Sequence, residues 1–302
     1  MVKKKVFIST SSFGEFSDEP IKLIERAGLE YKLNPYGRKM TGDELCHLAF
    51  DADGLIAGTE TLDGNILNKF QKLKVISRCG AGMDNVDVGY TEQRGIQVCN
   101  TPDAPTLAVA ELTIGLMIDL LRGVSQLNSQ LHQGQWKKSM GYLLFQKCIG
   151  IVGFGRIGRK VAELLNAFGC ELKFYDKYIT TNVEGVKRVE LDELLAWSQI
   201  VTIHISEGAE LITPDKLNRM KKGAWLLNTS RGGVVNEQAL FTALENNHLA
   251  GAALDVFLQE PYDGNFKKLD NIILTPHIGS YAREARVHME TQAVENLLQA
   301  LT

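Results

Sequence analysis

The chain is 302 residues long, which at roughly 150 residues per domain suggests about two domains. Hydrophobic residues make up 44% and charged residues 23%, a globular composition that argues against disorder; a chain of this length buries enough core to fold without disulfides or a structural metal. With 33 Lys and Arg against 36 Asp and Glu, the net charge of -3 argues against nucleic acid or an anionic membrane as the main partner.

The chain opens with MVKKKVFIST, basic residues without a long apolar stretch or a small-residue cleavage site, which reads as a first strand rather than a signal peptide. Five short apolar runs follow, at 5–9 (KVFIS), 29–34 (LEYKLN), 54–58 (GLIAG), 74–78 (KVISR) and 96–100 (IQVCN). Helix-like stretches with polar faces separate them, and this alternation predicts a parallel sheet flanked by helices. A helical pattern over Thr106–Arg122 begins just after Pro105 and links to a second set of strands. These lie at 148–153 (CIGIVG), 172–176 (LKFYD), 200–205 (IVTIHI), 225–229 (WLLNT), 252–257 (AALDVF) and 272–277 (IILTPH). A last helix, from about Tyr281 to Leu301, is long enough to return to the first domain. The expected fold class is therefore α/β, with two doubly wound parallel-sheet domains, residues 1–100 with 282–302 and residues 101–281. The most apolar segment, 112–121, is interrupted by Asp119 and too short to span a bilayer, so a cytoplasmic protein is expected. Cys46, Cys79, Cys99, Cys148 and Cys170 contain no C-x-x-C pair and read as buried reduced thiols, and no histidine shows metal-ligand spacing.

GFGRIG at 153–158 places Gly153, Gly155 and Gly158 in G-x-G-x-x-G spacing, after a strand and at the start of a helix. Gly153 permits the tight turn, Gly155 lets the backbone approach a pyrophosphate, and Gly158 lets helix meet strand. The N–H groups that open the helix, at Arg156 and Ile157, then face the phosphates. Asp176 ends the next strand, where its carboxylate would accept the ribose hydroxyls and repel a 2′-phosphate, favouring NAD over NADP. Further along, Arg231, Glu260 and His277 each fall just past a strand of the second set, a shared placement that marks them as a candidate catalytic group. Gly80, Ala81 and Gly82 follow a strand of the first set; such a turn forms either an anion-binding nest of N–H groups or a plain tight turn.

The motifs at 76–87 (ISRCGAGMDNVD), 100–117, 150–158, 228–240 (NTSRGGVVNEQAL), 250–261 and 274–280 (LTPHIGS) together resemble those of the D-isomer-specific 2-hydroxyacid dehydrogenases, and most of all the D-3-phosphoglycerate dehydrogenase-like branch. The resemblance covers essentially the whole chain and implies a flavodoxin-like substrate-binding domain at 1–100 and 282–302, a Rossmann NAD-binding domain at 101–281, and an active site in the cleft between them. It implies an NAD-dependent oxidoreductase that interconverts a D-2-hydroxy acid and its 2-keto acid. Protonated His277 is then the general acid, Glu260 orients its imidazole and favours the charged form, and Arg231 grips the carboxylate and keto oxygens. The match further implies that Asp255 faces the nicotinamide carboxamide, that His204, Thr229 and Gly279 join the cofactor site, and that Arg78 and the Gly80–Gly82 turn hold substrate. A homodimer formed through residues 106–145, including Trp136, is also implied.

The substrate implied first is 3-phosphoglycerate, as in serine biosynthesis, with hydroxypyruvate, glyoxylate or another D-2-hydroxy acid as the alternative. A reading of another class is a non-catalytic NAD(H)-sensing binding protein. Two departures from the family pattern matter. In the segment 204–212 the family's usual Pro is Ser206 and the loop is shorter, which bears on cofactor affinity. Gly58 stands where many phosphoglycerate dehydrogenases carry a second Arg, for which Arg38 and Lys39 are candidate substitutes. Arg78 reads equally as a phosphate ligand or a structural charge at a strand end. The chain stops after its closing helix, from which no serine-binding regulatory domain is expected.

Overall fold

The computed structural model describes residues 3–183, 185–206 and 209–301. The chain forms two compact units, residues 1–105 with 280–302, and residues 106–279.

In the first unit strands and helices alternate: β1 (Lys5–Ile8), α1 (Glu19–Arg26), β2 (Glu30–Leu33), α2 (Gly42–Ala49), β3 (Gly54–Ala57), α3 (Gly64–Leu67), β4 (Val75–Arg78), α4 (Val88–Gln93) and β5 (Gln97–Asn100). The strands make one sheet in the order β2-β1-β3-β4-β5, parallel throughout, the flavodoxin-like doubly wound order. Its faces follow the period of two. Phe7 and Leu55 enter the core cluster that includes Leu45 and Leu67, while Val6, Ile8 and Ile56 point the other way. Where both faces are covered, as at β3, the strand reads as a continuous apolar run rather than an alternating one. The helix that closes this unit comes last in the chain, at Arg283–Leu301, and its Met289, Ala293, Val294 and Leu297 complete the second face. Gly54 lies close beneath it: a Cβ there would meet Leu297 at 3.1 Å.

The second unit begins with α5 (Thr106–Arg122), started by Pro105 and ended by Gly123 in the left-handed region, and α6 (Val124–His132). After these come β6 (Cys148–Val152), α7 (Arg156–Asn166), β7 (Glu171–Tyr175), β8 (Lys187–Arg188), α8 (Leu191–Trp197), β9 (Ile200–Ile203), α9 (Pro214–Arg219), β10 (Ala224–Asn228), α10 (Glu237–Glu245), β11 (Leu249–Leu254) and β12 (Ile272–Leu274). The parallel sheet runs β12-β11-β10-β9-β6-β7-β8, and the chain reverses direction of travel across it between β6 and β9. Leu226 faces one core cluster and Leu227 the other, so a helix layer covers each side. The expectation of two doubly wound parallel sheets is met. The strand that the apolar runs do not show is β8, whose two residues are Lys and Arg and pair with β7 through the backbone.

The cysteines differ from the expectation. All five are free thiols, but only Cys79 is buried and the other four are half-buried. Burial pushes the Cys79 thiol up to about 11, so it is held as a neutral, inert side chain. Among the described residues no helix is long and apolar enough to cross a membrane, and no group of three His, Cys, Asp or Glu is placed to hold a metal ion.

Candidate active site

The carboxyl ends of β9, β10, β11 and β12 stand side by side, since Asn228 pairs with Ile203 on one flank and Leu254 on the other, and Leu254 pairs with Leu274. The residues that leave these strands therefore emerge along one edge: His204, Thr229 to Arg231, Asp255 to Glu260, and Thr275 to His277. Asn228 shapes the first of these turns. Its amide oxygen accepts from the N–H and hydroxyl of Ser230 at 3.0 and 2.7 Å, and its Nδ2 donates to the Arg231 carbonyl at 2.9 Å. Arg231 donates from Nη1 to the Ser230 carbonyl at 2.8 Å. The neighbouring Gly232 runs so close to the next loop that a Cβ would lie 1.8 Å from the Phe257 carbonyl oxygen. Only glycine allows that approach, which brings the Arg231 turn against the loop of Glu260.

Glu260 joins that loop to the last one. Its Oε1 accepts the Phe257 N–H at 3.1 Å, and its Oε2 lies 2.8 Å from His277 Nδ1. With Nδ1 turned to the carboxylate, Nε2 is left as the outward nitrogen, on a ring whose side chain is 49% exposed. His277 has φ 54°, in the left-handed region, which histidine adopts more readily than most residues. Asp255, 1% exposed, holds this bend. Its Oδ1 accepts from the Thr275 hydroxyl at 2.6 Å and the Ile278 N–H at 2.8 Å, and its Oδ2 accepts the Gly279 N–H at 2.8 Å. Three of the roughly four lone-pair sites of a carboxylate are thus committed to the loop that carries His277. The family resemblance turns Asp255 towards the nicotinamide; the structure shows it as the anchor of residues 275–279. No motif spacing signals this, because the partners lie twenty or more residues away.

The glycines of the 153–158 loop pass a direct test of fit to a dinucleotide. Gly153 has φ 91°, and a Cβ on it would lie 2.4 Å from the His204 carbonyl oxygen. A Cβ on Gly158 would lie 2.1 Å from the Gly153 carbonyl oxygen, so glycine is what lets α7 start against β6. A Cβ on Gly155 would meet nothing within 4 Å, so this glycine faces open space in front of the helix. It is also the N-cap of α7, with no side-chain cap, so the positive end of the helix dipole opens towards that space at Arg156 and Ile157. Asp176 lies on the same loop. Its Oδ2 accepts the Phe154 N–H at 2.7 Å, and its Oδ1 accepts those of Tyr178 and Ile179 at 2.8 and 2.9 Å. Burial opposes its ionisation, but the three backbone donors together keep its pKa below the ordinary carboxylate value. It stays charged, with about one lone-pair site beyond those the loop uses.

His204 is buried and wired to hydroxyls. Thr113 donates to the Val109 carbonyl at 2.8 Å, so the 3.1 Å contact between Thr113 and Thr229 is donated by Thr229. The long 3.5 Å contact from Thr229 to His204 Nδ1 then requires a proton on Nδ1, and Nε2 accepts from Thr202 at 2.9 Å. Desolvation depresses the His204 pKa to about 3, so the ring is neutral. Of the loop that follows, Glu207 and Gly208 lie outside the described residues.

In the first unit, Arg78 and Gly80–Gly82 also leave a strand at its carboxyl end. Arg78 Nη1 donates to the Cys79 carbonyl at 2.5 Å. Gly80 has φ 140°, and a Cβ there would sit 1.6 Å from Arg78 Nη1, so the guanidinium lies over the glycine. Gly80 N–H donates to Thr101 Oγ1 at 2.7 Å, and the Ala81 carbonyl accepts from Asn100 Nδ2 at 2.8 Å. The Gly80 donor is therefore already engaged with the end of β5. Arg38, a candidate substitute for a missing cation, holds Glu44 in a fork at 2.9 and 2.6 Å. That guanidinium brings the Glu44 carboxyl down to about 2.

Residues 114–279 match the family model described as D-isomer specific 2-hydroxyacid dehydrogenase, NAD binding domain. The chain is 37% identical over 295 residues to a D-3-phosphoglycerate dehydrogenase of Methanocaldococcus jannaschii, covering 94% of this chain and 56% of that protein. It is 39% identical over 275 residues to a glyoxylate reductase of Thermofilum pendens, covering 86% of this chain and 81% of that one. The chain spans about half the length of the D-3-phosphoglycerate dehydrogenases it matches. Among solved structures, the TT0316 protein from Thermus thermophilus superposes with a TM-score of 0.91 at 34% identity, covering 98% of this chain and 96% of that one. The cradle at Gly153–Gly158 fits the NAD that the matched domain takes, and the chain belongs to the D-isomer-specific 2-hydroxyacid dehydrogenase family.

Proposed function

We propose that the protein interconverts a D-2-hydroxy acid and its 2-keto acid, with NAD as the cofactor. The observation that carries this reading is the 2.8 Å contact of His277 Nδ1 with Glu260 Oε2 at the strand edge that also bears the dinucleotide cradle. NAD(H), when bound, supplies or accepts the hydride at C2 of the acid. In reduction, His277 donates a proton from Nε2 to the keto oxygen; in oxidation, neutral His277, with Nδ1–H donated to Glu260, accepts the hydroxyl proton at Nε2. Glu260 selects the tautomer in which Nε2 bears the lone pair. Arg231, at the turn beside the Glu260 loop, offers a planar fork to the substrate carboxylate. Asp176 carries a negative charge on the loop that would flank the adenosine ribose, which supports NAD over NADP.

Relatives carry the names D-3-phosphoglycerate dehydrogenase and glyoxylate reductase, so two substrate classes compete. The phosphorylated substrate, and with it serine biosynthesis, loses support from Arg38, whose guanidinium is held by Glu44. A homodimer through the α6 region is supported by exposed apolar side chains there: Val124, Leu131, Trp136, Met140, Leu143 and Phe145. Steady-state reduction of glyoxylate, hydroxypyruvate, pyruvate and 3-phosphohydroxypyruvate with NADH tests the activity. Turnover of at least one is expected. NADH binding without turnover of any would overturn it in favour of a dinucleotide-sensing binding protein.

A further inference from the structure

At the carboxyl edge of the first sheet a buried acid stands apart from everything assigned above. Glu60 lies two residues beyond Gly58, on the exit from β3, and is 2% exposed. Its Oε1 accepts the Ser9 hydroxyl from the end of β1. Both carboxylate oxygens accept the Gly58 N–H, at 3.0 and 3.1 Å. The loop is pinned from the other side as well, since Asn85 Nδ2 donates to the carbonyls of Gly58 and Glu60 at 3.2 and 2.7 Å. Position 58 has no room for a side chain while Glu60 is there: a Cβ would lie 2.9 Å from its Oε2.

We propose that Glu60 is a specificity-determining residue whose buried carboxylate occupies the anion-binding donors at the ends of β1 and β3, so that the enzyme selects short 2-keto acids without a phosphate. This rests on the dehydrogenase reading above. Ligands of doubly wound sheets bind outside the carboxyl ends of the strands, and the donors available to an anion there are strand-end N–H groups and hydroxyls. Ser9 and Gly58 are two such donors, and both are spent on an internal carboxylate. The same charge repels a second anion on the substrate, and burial keeps that repulsion from being screened by salt.

The cations nearby do not reverse this balance. Arg286 pairs with the buried Glu290, Nε to Oε1 at 2.7 Å, and their charges cancel. Arg78, whose backbone pairs with Ala57 beside Gly58, turns its guanidinium over Gly80 and donates to the Cys79 carbonyl. A phosphorylated acid brings a further charge of about -1.5 to -2 to the edge that holds the Glu60 carboxylate, where an unphosphorylated monoanion does not.

The test compares wild type with Glu60→Gln and Glu60→Asp, using the full chain and NADH. The ratio of kcat/KM for 3-phosphohydroxypyruvate to that for hydroxypyruvate is the first readout. Wild type should favour hydroxypyruvate by about tenfold or more, and Glu60→Gln should raise the ratio at least about threefold, as removal of a repulsive element does in specificity switches. The second readout needs no turnover: Tm of the cofactor-free protein with added inorganic phosphate, which should rise in Glu60→Gln and not in wild type. A wild-type preference for the phosphorylated acid overturns the proposal. So does a ratio that changes less than threefold without a phosphate-dependent Tm in Glu60→Gln. Glu60→Asp, which keeps the charge, should stay close to wild type in both readouts; if Glu60→Gln does not fold, Glu60→Ala, which removes the carboxylate, is held to the same two criteria. If none of glyoxylate, hydroxypyruvate, pyruvate and 3-phosphohydroxypyruvate is reduced by any form, the dehydrogenase reading fails, and the phosphate-dependent Tm alone decides the role of Glu60.

Discussion

His277 Nδ1 faces Glu260 Oε2 at 2.8 Å while the His277 backbone sits at φ 54°, so the imidazole owes its position to two constraints, one on the ring and one on the chain. The carboxylate governs which nitrogen carries the proton, and the left-handed bend governs where the other nitrogen points. Both constraints end on Asp255 and Glu260, two acids that leave β11 five residues apart.

His277→Asn separates chemistry from fold, because asparagine tolerates the left-handed region and has no titratable nitrogen. Turnover of the best keto acid should fall by about a hundredfold to ten-thousandfold, the range a positioned general acid supplies. NADH affinity, read by fluorescence titration, should change less than twofold. Near-normal turnover in this variant removes His277 from the mechanism.

Asp255→Asn replaces an acceptor of three hydrogen bonds by a group that must turn an N–H towards one of its donors. Stability should fall by about 1–3 kcal/mol, the cost of an unmet buried donor. Since the bonds hold residues 275–279, kcat should fall with KM for NADH little changed. A raised KM for NADH at unchanged stability, measured by urea unfolding and initial rates, would instead indicate a direct cofactor contact.

The buried His204 predicts an acid-labile fold. Its folded-state pKa is depressed to about 3, against an ordinary value near 6.5, so between those limits the unfolded chain binds the extra proton. Stability from this group is complete above about pH 6.5 and is lost as pH falls towards 3, by up to ~1.4 kcal/mol per pH unit. His204→Asn should flatten the decline in unfolding free energy between pH 6 and 5 relative to wild type. Parallel slopes for the two proteins would show that the ring is not the titrating group.

The alternation of apolar runs and helical patterns is enough to read both sheets, because central strands such as β3 and β9 are buried at every position and anchor the pattern that edge strands such as β2 continue. The paired β8 escapes because Lys187 and Arg188 bury nothing that a hydrophobic pattern registers. Glu260 and His277 are legible as strand-exit residues near one another in a family pattern. Asp255 is legible as a site residue but not in its bonds, since hydrogen-bond partners twenty residues away leave no periodicity. Arg38 shows the converse: T-x-x-E at Thr41–Glu44 announces a capping box, yet nothing in that spacing says that the same Glu44 also takes up a guanidinium. Glu60 hides behind the glycine before it in the sequence, although the two are a single feature in space.

Gly80 sits at φ 140° with the guanidinium of Arg78 lying where a Cβ would be, and these two constraints on position 80 are of unequal strength. The guanidinium is the far end of a flexible side chain and can swing aside, whereas the backbone angle strains any other residue at position 80 whatever stands at 78. A library that varies both sites at once will therefore be dominated by chains that keep Gly80, with the sequence variety carried at position 78.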